Sequence, residues 1–181
     1  AHDHRRAETC QPCSERFRQV VALYQGPFLQ QFYLGDSAAF EEWALVRREG
    51  LQRRVMGAFR HLIAYHERRG EYKKARQFAR RQVELEPWSE SAQRALMRTL
   101  ALSGRRRAAL KQYQACRRVL ADELGVESAQ KTTELFEQIR DGKYERSDSA
   151  RRKASTEVRD STKSRPFGLP AWVTVSLLSL V

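Results

Sequence analysis

The 181-residue sequence has few cysteines and lacks the patterns that mark an enzyme, a nucleotide-binding protein or a β-sheet protein. Three cysteines without a secretory leader are too few for a disulfide framework, which indicates a reducing compartment and favours the cytoplasm. No segment alternates apolar and polar residues with the period of a strand. There is also no phosphate-binding loop, no Ser or Cys nucleophile with a suitable base, and no paired-carboxylate signal. The sequence therefore predicts an all-α protein that is not an enzyme and needs no cofactor or small-molecule substrate.

Six segments instead have the spacing of amphipathic helices, and each ends near a glycine or a proline. The second is unusually long, and its apolar stripe runs from Phe40 and Trp43 through Leu51 and Val55 to His66. Gly50 interrupts this helix at a cost of about 1 kcal/mol relative to alanine. The expected helices are residues 14–24, 38–69, 71–85, 89–103, 105–123 and 128–140.

Two of these helix boundaries share a sequence pattern. The segments that begin at Gly70 and Gly104 lie 34 residues apart, and each opens a helical pattern that follows another one. That period is typical of stacked helix pairs, so we predict a tetratricopeptide-like stack of antiparallel helix pairs. The repeat register assigns nine residues to its core: Phe59, Leu62, Tyr72, Ala75, Ala79, Leu96, Met97, Ala109 and Tyr113. It also places Cys116 beside them.

The chain divides into four parts by composition. Residues 1–13 are expected to be a lead that continues an upstream domain, since the sequence resembles a fragment of a larger protein. Residues 14–142 form the helical domain. Residues 143–168 are polar, basic and predicted to be a disordered linker or tail. Residues 169–181 are apolar but shorter than the about 20 residues that cross a bilayer, so they either begin a membrane helix or have no fold.

The charge is strongly basic, with a formal net charge of +12 and a pI near 10.2. Direct binding to DNA is one interpretation of this excess, and a steep salt dependence without sequence preference would then show simple electrostatics. Much of the charge, however, is spread around helices as arginine doublets, where long stems cover the helix surface. These doublets are Arg47-Arg48, Arg53-Arg54, Arg68-Arg69, Arg80-Arg81 and Arg117-Arg118.

The repeat register also predicts a basic concave groove. It places Arg60 and His61 of one helix pair, and Arg94 and Arg98 of the next, on the inner side of the stack. Guanidinium groups bind carboxylates by paired hydrogen bonds, so the groove suits an acidic partner. The alternative is a solvated face with local ion pairs.

A zinc site is a further alternative at the amino-terminal end. His2 and His4 precede Cys10 and Cys13, and imidazole and thiolate groups are good zinc ligands. The two pairs are separated by only five residues, which is tighter than the spacing of a zinc finger. We therefore predict no metal here.

Several stretches together resemble the bacterial transcriptional activator domain, a helical module of antibiotic regulatory proteins and larger regulators. The matching stretches are Leu23–Leu29, Phe40–Trp43, Arg47–Glu49, Gly70–Ala75, Leu85–Glu90, Arg94–Met97 and Ala121–Glu127. This resemblance implies a cytoplasmic, tetratricopeptide-like interaction or dimerisation module that couples a signal to a DNA-binding domain outside this chain. Its expected partners are a second copy or the transcription machinery. The alternative is a stand-alone scaffold that binds acidic peptides through the basic groove.

Overall fold

The computed structural model describes residues 10–32 and 34–144 of the chain. They form six helices, which all belong to one compact unit, and no strand occurs in this part of the chain. The helices are α1 (Gln11–Leu23), α2 (Ala38–Arg68), α3 (Tyr72–Leu85), α4 (Glu90–Leu102), α5 (Arg106–Leu124) and α6 (Gln130–Arg140). The all-α prediction is confirmed. His2, His4, the predicted linker from residue 145 onward and the apolar end at 169–181 lie outside the described residues.

The first helix begins earlier than the sequence pattern predicts. We expected it from Ser14, whereas α1 starts at Gln11 with Pro12 in its first turn. Proline is tolerated there because the first N–H groups of a helix have no partner within the helix. The other five helices lie within two residues of their predicted bounds.

The 34-residue repeat corresponds to a helix-ending turn that occurs twice in the structure. Gly70 and Gly104 have left-handed backbones, with φ of +70° and +74°. In both turns the residue after the glycine donates its N–H five residues back, from Glu71 to the His66 carbonyl and from Arg105 to the Leu100 carbonyl, each at 2.9 Å. This pattern satisfies carbonyls that the helix end would leave free, and it folds α3 and α5 back onto their predecessors.

The helices pack in sequence order, and α4 also contacts α6. This order is the one expected for stacked helix pairs, while the likeness to tetratricopeptide repeats stays a prediction. Eight of the nine predicted core residues are buried, and only Tyr72 is half-buried. Cys116 is fully buried as predicted, and burial raises the pKa of its thiol to about 11. The thiol therefore stays protonated at neutral pH.

Two charged side chains hold α6 at its ends. Both Glu90 carboxylate oxygens accept from the Ala129 N–H at the helix start, at 3.0 and 2.9 Å. At the other end the Arg106 guanidinium donates to the carbonyl oxygens of Ile139 (2.8 Å) and Arg140. A negative group at the amino end and a positive group at the carboxyl end both complement the helix dipole. Helix α6 is therefore fixed to α4 and α5 by charge as well as by packing.

The two halves of helix α2 differ in how much of their surface the rest of the protein buries. Eight of its nine buried residues lie from Val55 onward, and Ala44 is the remaining one. In the covered half, Phe17 of α1 stacks on His61, and Phe78 of α3 stacks on His66. The amino-terminal half of α2 extends beyond these neighbours, and the connector between α1 and α2 lies beside it.

The turn geometry predicts the effect of a single methyl group. Gly104→Ala is expected to lower the free energy of unfolding by about 1 kcal/mol, because a left-handed backbone strains any residue with a Cβ. No heavy atom lies within 4 Å of the added Cβ, so the loss is conformational rather than steric. Thermal or urea unfolding measures it.

Gly57→Ala is the matched control. Its backbone lies inside α2 and its added Cβ meets only Arg60 Nη2 at 3.8 Å, so helix propensity alone is expected to raise stability by up to about 1 kcal/mol. Equal stability of Gly104→Ala and the unsubstituted chain would contradict the left-handed turn.

Candidate protein-interaction surface

The two arginines predicted on α4 are bonded to neighbouring helices. Arg98 Nε lies 3.1 Å from both carboxylate oxygens of Glu67 near the end of α2. Arg94 Nη1 donates to Thr132 Oγ1 of α6 at 2.8 Å, and Thr132 is fully buried. The two guanidinium groups therefore connect α4 to its neighbours on either side.

The other two predicted groove residues lie on α2. His61 is half-buried, and its ring stacks on Phe17 of α1 at 4.7 Å with the planes 1° apart. Arg60 is exposed. The structure thus places the four residues on two helices, but it directs His61, Arg94 and Arg98 to three different partners. The basic groove stays a prediction, with Arg60 as its exposed member.

The carboxyl group of Glu67 has a raised pKa. Burial is the main cause, and the Arg98 charge and hydrogen bond oppose it without cancelling it. A carboxylate that is costly to ionise depends strongly on the cation beside it. The Glu67–Arg98 pair is therefore a structural contact between α2 and α4. The exposed fractions of the Glu67 and Arg98 side chains are 13% and 36%.

A different surface is left open by the packing. Eight of the eleven exposed large hydrophobic residues fall between Val20 and Leu51, on α1, the connector and the first half of α2. Grouped exposed apolar residues mark interaction sites more often than scattered ones. We define the α2 surface as Phe28, Trp43, Val46, Arg47, Gly50, Leu51, Arg53 and Arg54.

These residues enclose a shallow cavity of about 440 Å³. Trp43 forms one wall, with Phe28 in an edge-to-face contact at 6.1 Å and the Arg47 guanidinium over its ring at 5.7 Å. The exposed fractions are 45% for Trp43, 61% for Val46 and 38% for Leu51. A second hollow of about 540 Å³ between the connector and α2 shares Phe28 and Leu51. The surface is therefore apolar, with arginines around it.

Hydrogen bonds from α2 fix the connector beside this surface. Arg48 donates to the carbonyl oxygens of Phe28 (2.7 Å) and Leu29 (2.9 Å). Leu29 has a left-handed backbone with φ of +51°, which is a strained conformation for a leucine. Ser37 caps α2 by accepting from the Phe40 N–H, and the Glu41 carboxylate accepts from the Leu34 N–H. The surface is thus built on a helix and a fastened connector.

The described residues offer little chemistry of other kinds. No group of three or more His, Cys, Asp or Glu in residues 10–32 and 34–144 is placed to hold a metal ion. Of the four zinc candidates only Cys10 and Cys13 are described, and burial raises the pKa of Cys13. Within the same ranges, every helix is too short or too polar to cross a bilayer. The feature of the described residues that suggests a function is therefore the exposed α2 surface.

Sequence reasoning missed the α2 surface because it assigned Trp43 and Leu51 to the same apolar stripe as Val55 and Phe59. The stripe correctly predicts the helix, but it does not tell which part of the helix has neighbours. The helix lengths contain the information that a part of α2 lacks neighbours, since α2 has 31 residues and α3 only 14. A 14-residue helix cannot cover both halves of a helix more than twice its length.

The comparisons with known proteins agree with the resemblance. Residues 1–140 match the family model of the bacterial transcriptional activator domain. No curated protein matches the chain, and no solved structure matches it.

The Glu67–Arg98 pair leads to a pH-dependent prediction. Arg98→Ala is expected to lower the free energy of unfolding by about 1 to 3 kcal/mol near neutral pH, because a largely buried carboxylate loses its partner. The pKa of Glu67 in the folded state then rises further above its ordinary value. Because protonation relieves the penalty, the difference from the unsubstituted chain is expected to shrink as the pH falls. Thermal unfolding at several pH values measures it.

The control is Glu67→Gln in the same Arg98→Ala background, where no carboxylate remains to titrate. Its deficit is expected to vary less with pH. An Arg98→Ala deficit that is the same at every pH would argue against an energetic role for this pair.

Proposed function

The chain belongs to the bacterial transcriptional activator domain family, and on that premise we propose that it is a non-catalytic interaction module of a bacterial transcriptional regulator. Its role is to bind a protein, either a second copy or a part of the transcription machinery. DNA contact is made by a domain outside this chain. The site of action is the cytoplasm, where a bacterial regulator meets its promoter.

The α2 surface is the observation that carries this proposal. It combines exposed Trp43, Val46 and Leu51 with three arginines on one helix, and aromatic residues and arginine are enriched in the energetic centres of interfaces. A helix and a fastened connector present these groups with little freedom to lose on binding, which favours affinity.

Coupling requires that binding at α2 affects the rest of the module. The second half of the same helix contacts α1 and α3, and Glu67 near its end is bonded to Arg98 of α4. A partner that binds one arrangement of α2 more tightly would shift the population of arrangements in the stack. We propose this as the route by which a signal reaches an adjoining DNA-binding domain.

The basic groove is the second candidate surface, and it would also serve a stand-alone scaffold for acidic peptides. Arg60 is its exposed guanidinium. Arg94 and Arg98 already have partners in neighbouring helices, so their use by a ligand would break those bonds. The α2 surface needs no such exchange and is therefore favoured.

A reporter experiment tests the proposed function. The full 181-residue chain is fused to a heterologous DNA-binding domain, and transcription from a promoter with the matching site is measured in bacteria. The variant Trp43→Ala with Val46→Glu is expected to lower transcription by about fivefold or more, because interface centres depend on a few anchors.

The matched control is Trp88→Ala with Val126→Glu, since both residues are exposed apolar side chains, at 48% and 49%, and neither lines the α2 surface. It is expected to keep the transcription of the unsubstituted fusion, with equal protein levels checked by immunoblot. An unchanged signal for the first variant, or an equal loss for both, would exclude the α2 surface as the site.

A further inference from the structure

We propose that the α2 surface binds an acidic amphipathic helix, with one apolar side chain of that helix seated over Gly50. The inference rests on the proposed function and names the chemistry of the partner. It draws on the charge around the cavity, on the glycine within it and on the shape of its walls.

The charge around the cavity has one sign. Every charged residue that lines it is an arginine, namely Arg47, Arg53 and Arg54, and no carboxylate is among its lining residues. Arg47 is held over the Trp43 ring at 5.7 Å, so at least one of these guanidinium groups is already positioned. Arginines in this setting favour carboxylates, which they bind through paired hydrogen bonds.

Gly50 has no role in the packing of the described fold. Its backbone is helical, it lies in the interior of α2, and, apart from its chain neighbours and the helix backbone itself, no heavy atom comes within 4 Å of a Cβ added there. A glycine in a helix interior costs about 1 kcal/mol relative to alanine. Neither a turn nor a close contact within the fold explains that cost. The missing side chain instead leaves room between Trp43, Val46 and Leu51 for a group from outside.

The walls favour a helix over the other anionic or apolar candidates. Val46 and Leu51 are aliphatic, and Arg47 lies over the ring of Trp43, so a nucleic-acid base finds less aromatic surface to stack on. A second copy of this chain would bring another surface with three arginines, and a protein of formal net charge +12, against this one. An amphipathic helix with glutamates beside an apolar stripe matches both the arginines and the aliphatic floor.

The test is titration of the full 181-residue chain with three labelled 16-residue peptides, followed by fluorescence anisotropy. The first carries leucines at helical spacing with glutamates elsewhere, the second has lysines in place of the glutamates, and the third is a scrambled acidic sequence. The acidic helix is expected to bind about tenfold or more tightly than either of the others, and its affinity is expected to fall with added salt.

Variants in α2 distinguish specific binding over Gly50 from nonspecific electrostatic attraction. Gly50→Leu fills the cavity and is expected to weaken binding by about tenfold, while helix propensity keeps the protein at least as stable. Gly57→Ala lies in the same helix away from the cavity and is expected to leave binding unchanged. Arg53→Glu with Arg54→Glu is expected to reverse the preference toward the basic peptide.

Several results would overturn the inference. Equal binding of the acidic and basic helices, or a Gly50→Leu affinity equal to that of the unsubstituted chain, would each do so. Displacement of the peptide by a single-stranded oligonucleotide would indicate a nucleic-acid site. A peptide affinity that rises when the protein is diluted would indicate that a second copy occupies the α2 surface. A peptide affinity that rises when residues 169–181 are removed would indicate that the chain covers this surface itself. If these peptide results fail while Trp43→Ala with Val46→Glu still lowers reporter transcription, the proposed function stands without this partner.

Discussion

The length of α2 relative to its neighbours is the constraint on which this structure depends. Its 31 residues span about 46 Å, whereas the 14 residues of α3 span about 21 Å. Packing therefore covers one half of α2, from Val55 onward, and that half joins the core. The other half extends past the stack and carries its apolar residues into solvent. One continuous helix thus connects a buried part of the core to an exposed apolar surface.

Charge is used differently in the two halves. Within the stack, charged side chains form specific bonds between elements: Arg98 with Glu67, Glu90 with the start of α6, and Arg106 with its end. Each of these places opposite charges or dipoles together, so these charged side chains stabilise the fold. Around the α2 surface, Arg47, Arg53 and Arg54 line a cavity without a carboxylate among its lining residues. The proposed partner is therefore inferred from the local arrangement of arginines and not from the net charge of the protein.

Sequence periodicity predicted the helices well because local rules decide them. Each described helix is followed within three residues by a glycine or a proline, and Gly70 and Gly104 adopt the left-handed turn that the repeat requires. The candidate site was harder, since the function of an arginine depends on what faces it. Arg94 and Arg98 were predicted to face a partner, and the fold places Thr132 and Glu67 against them, at 38 and 31 residues' separation. The groove itself stays a prediction. Trp43 belonged to an apolar stripe whose burial depended on the length of another helix. No periodicity within one segment contains that information.

Binding at the α2 surface is tested most directly by hydroxyl-radical footprinting of the chain, joined to a DNA-binding domain, in its promoter complex with RNA polymerase. Mass spectrometry then compares the oxidation of Trp43 with that of Trp88, which have similar exposed fractions of 45% and 48% in the free chain. Complex formation is expected to lower the oxidation rate of Trp43 by about fivefold or more and to leave that of Trp88 unchanged. An unchanged rate at Trp43, with protection at His61 of the basic groove, would contradict the α2 surface as the binding site.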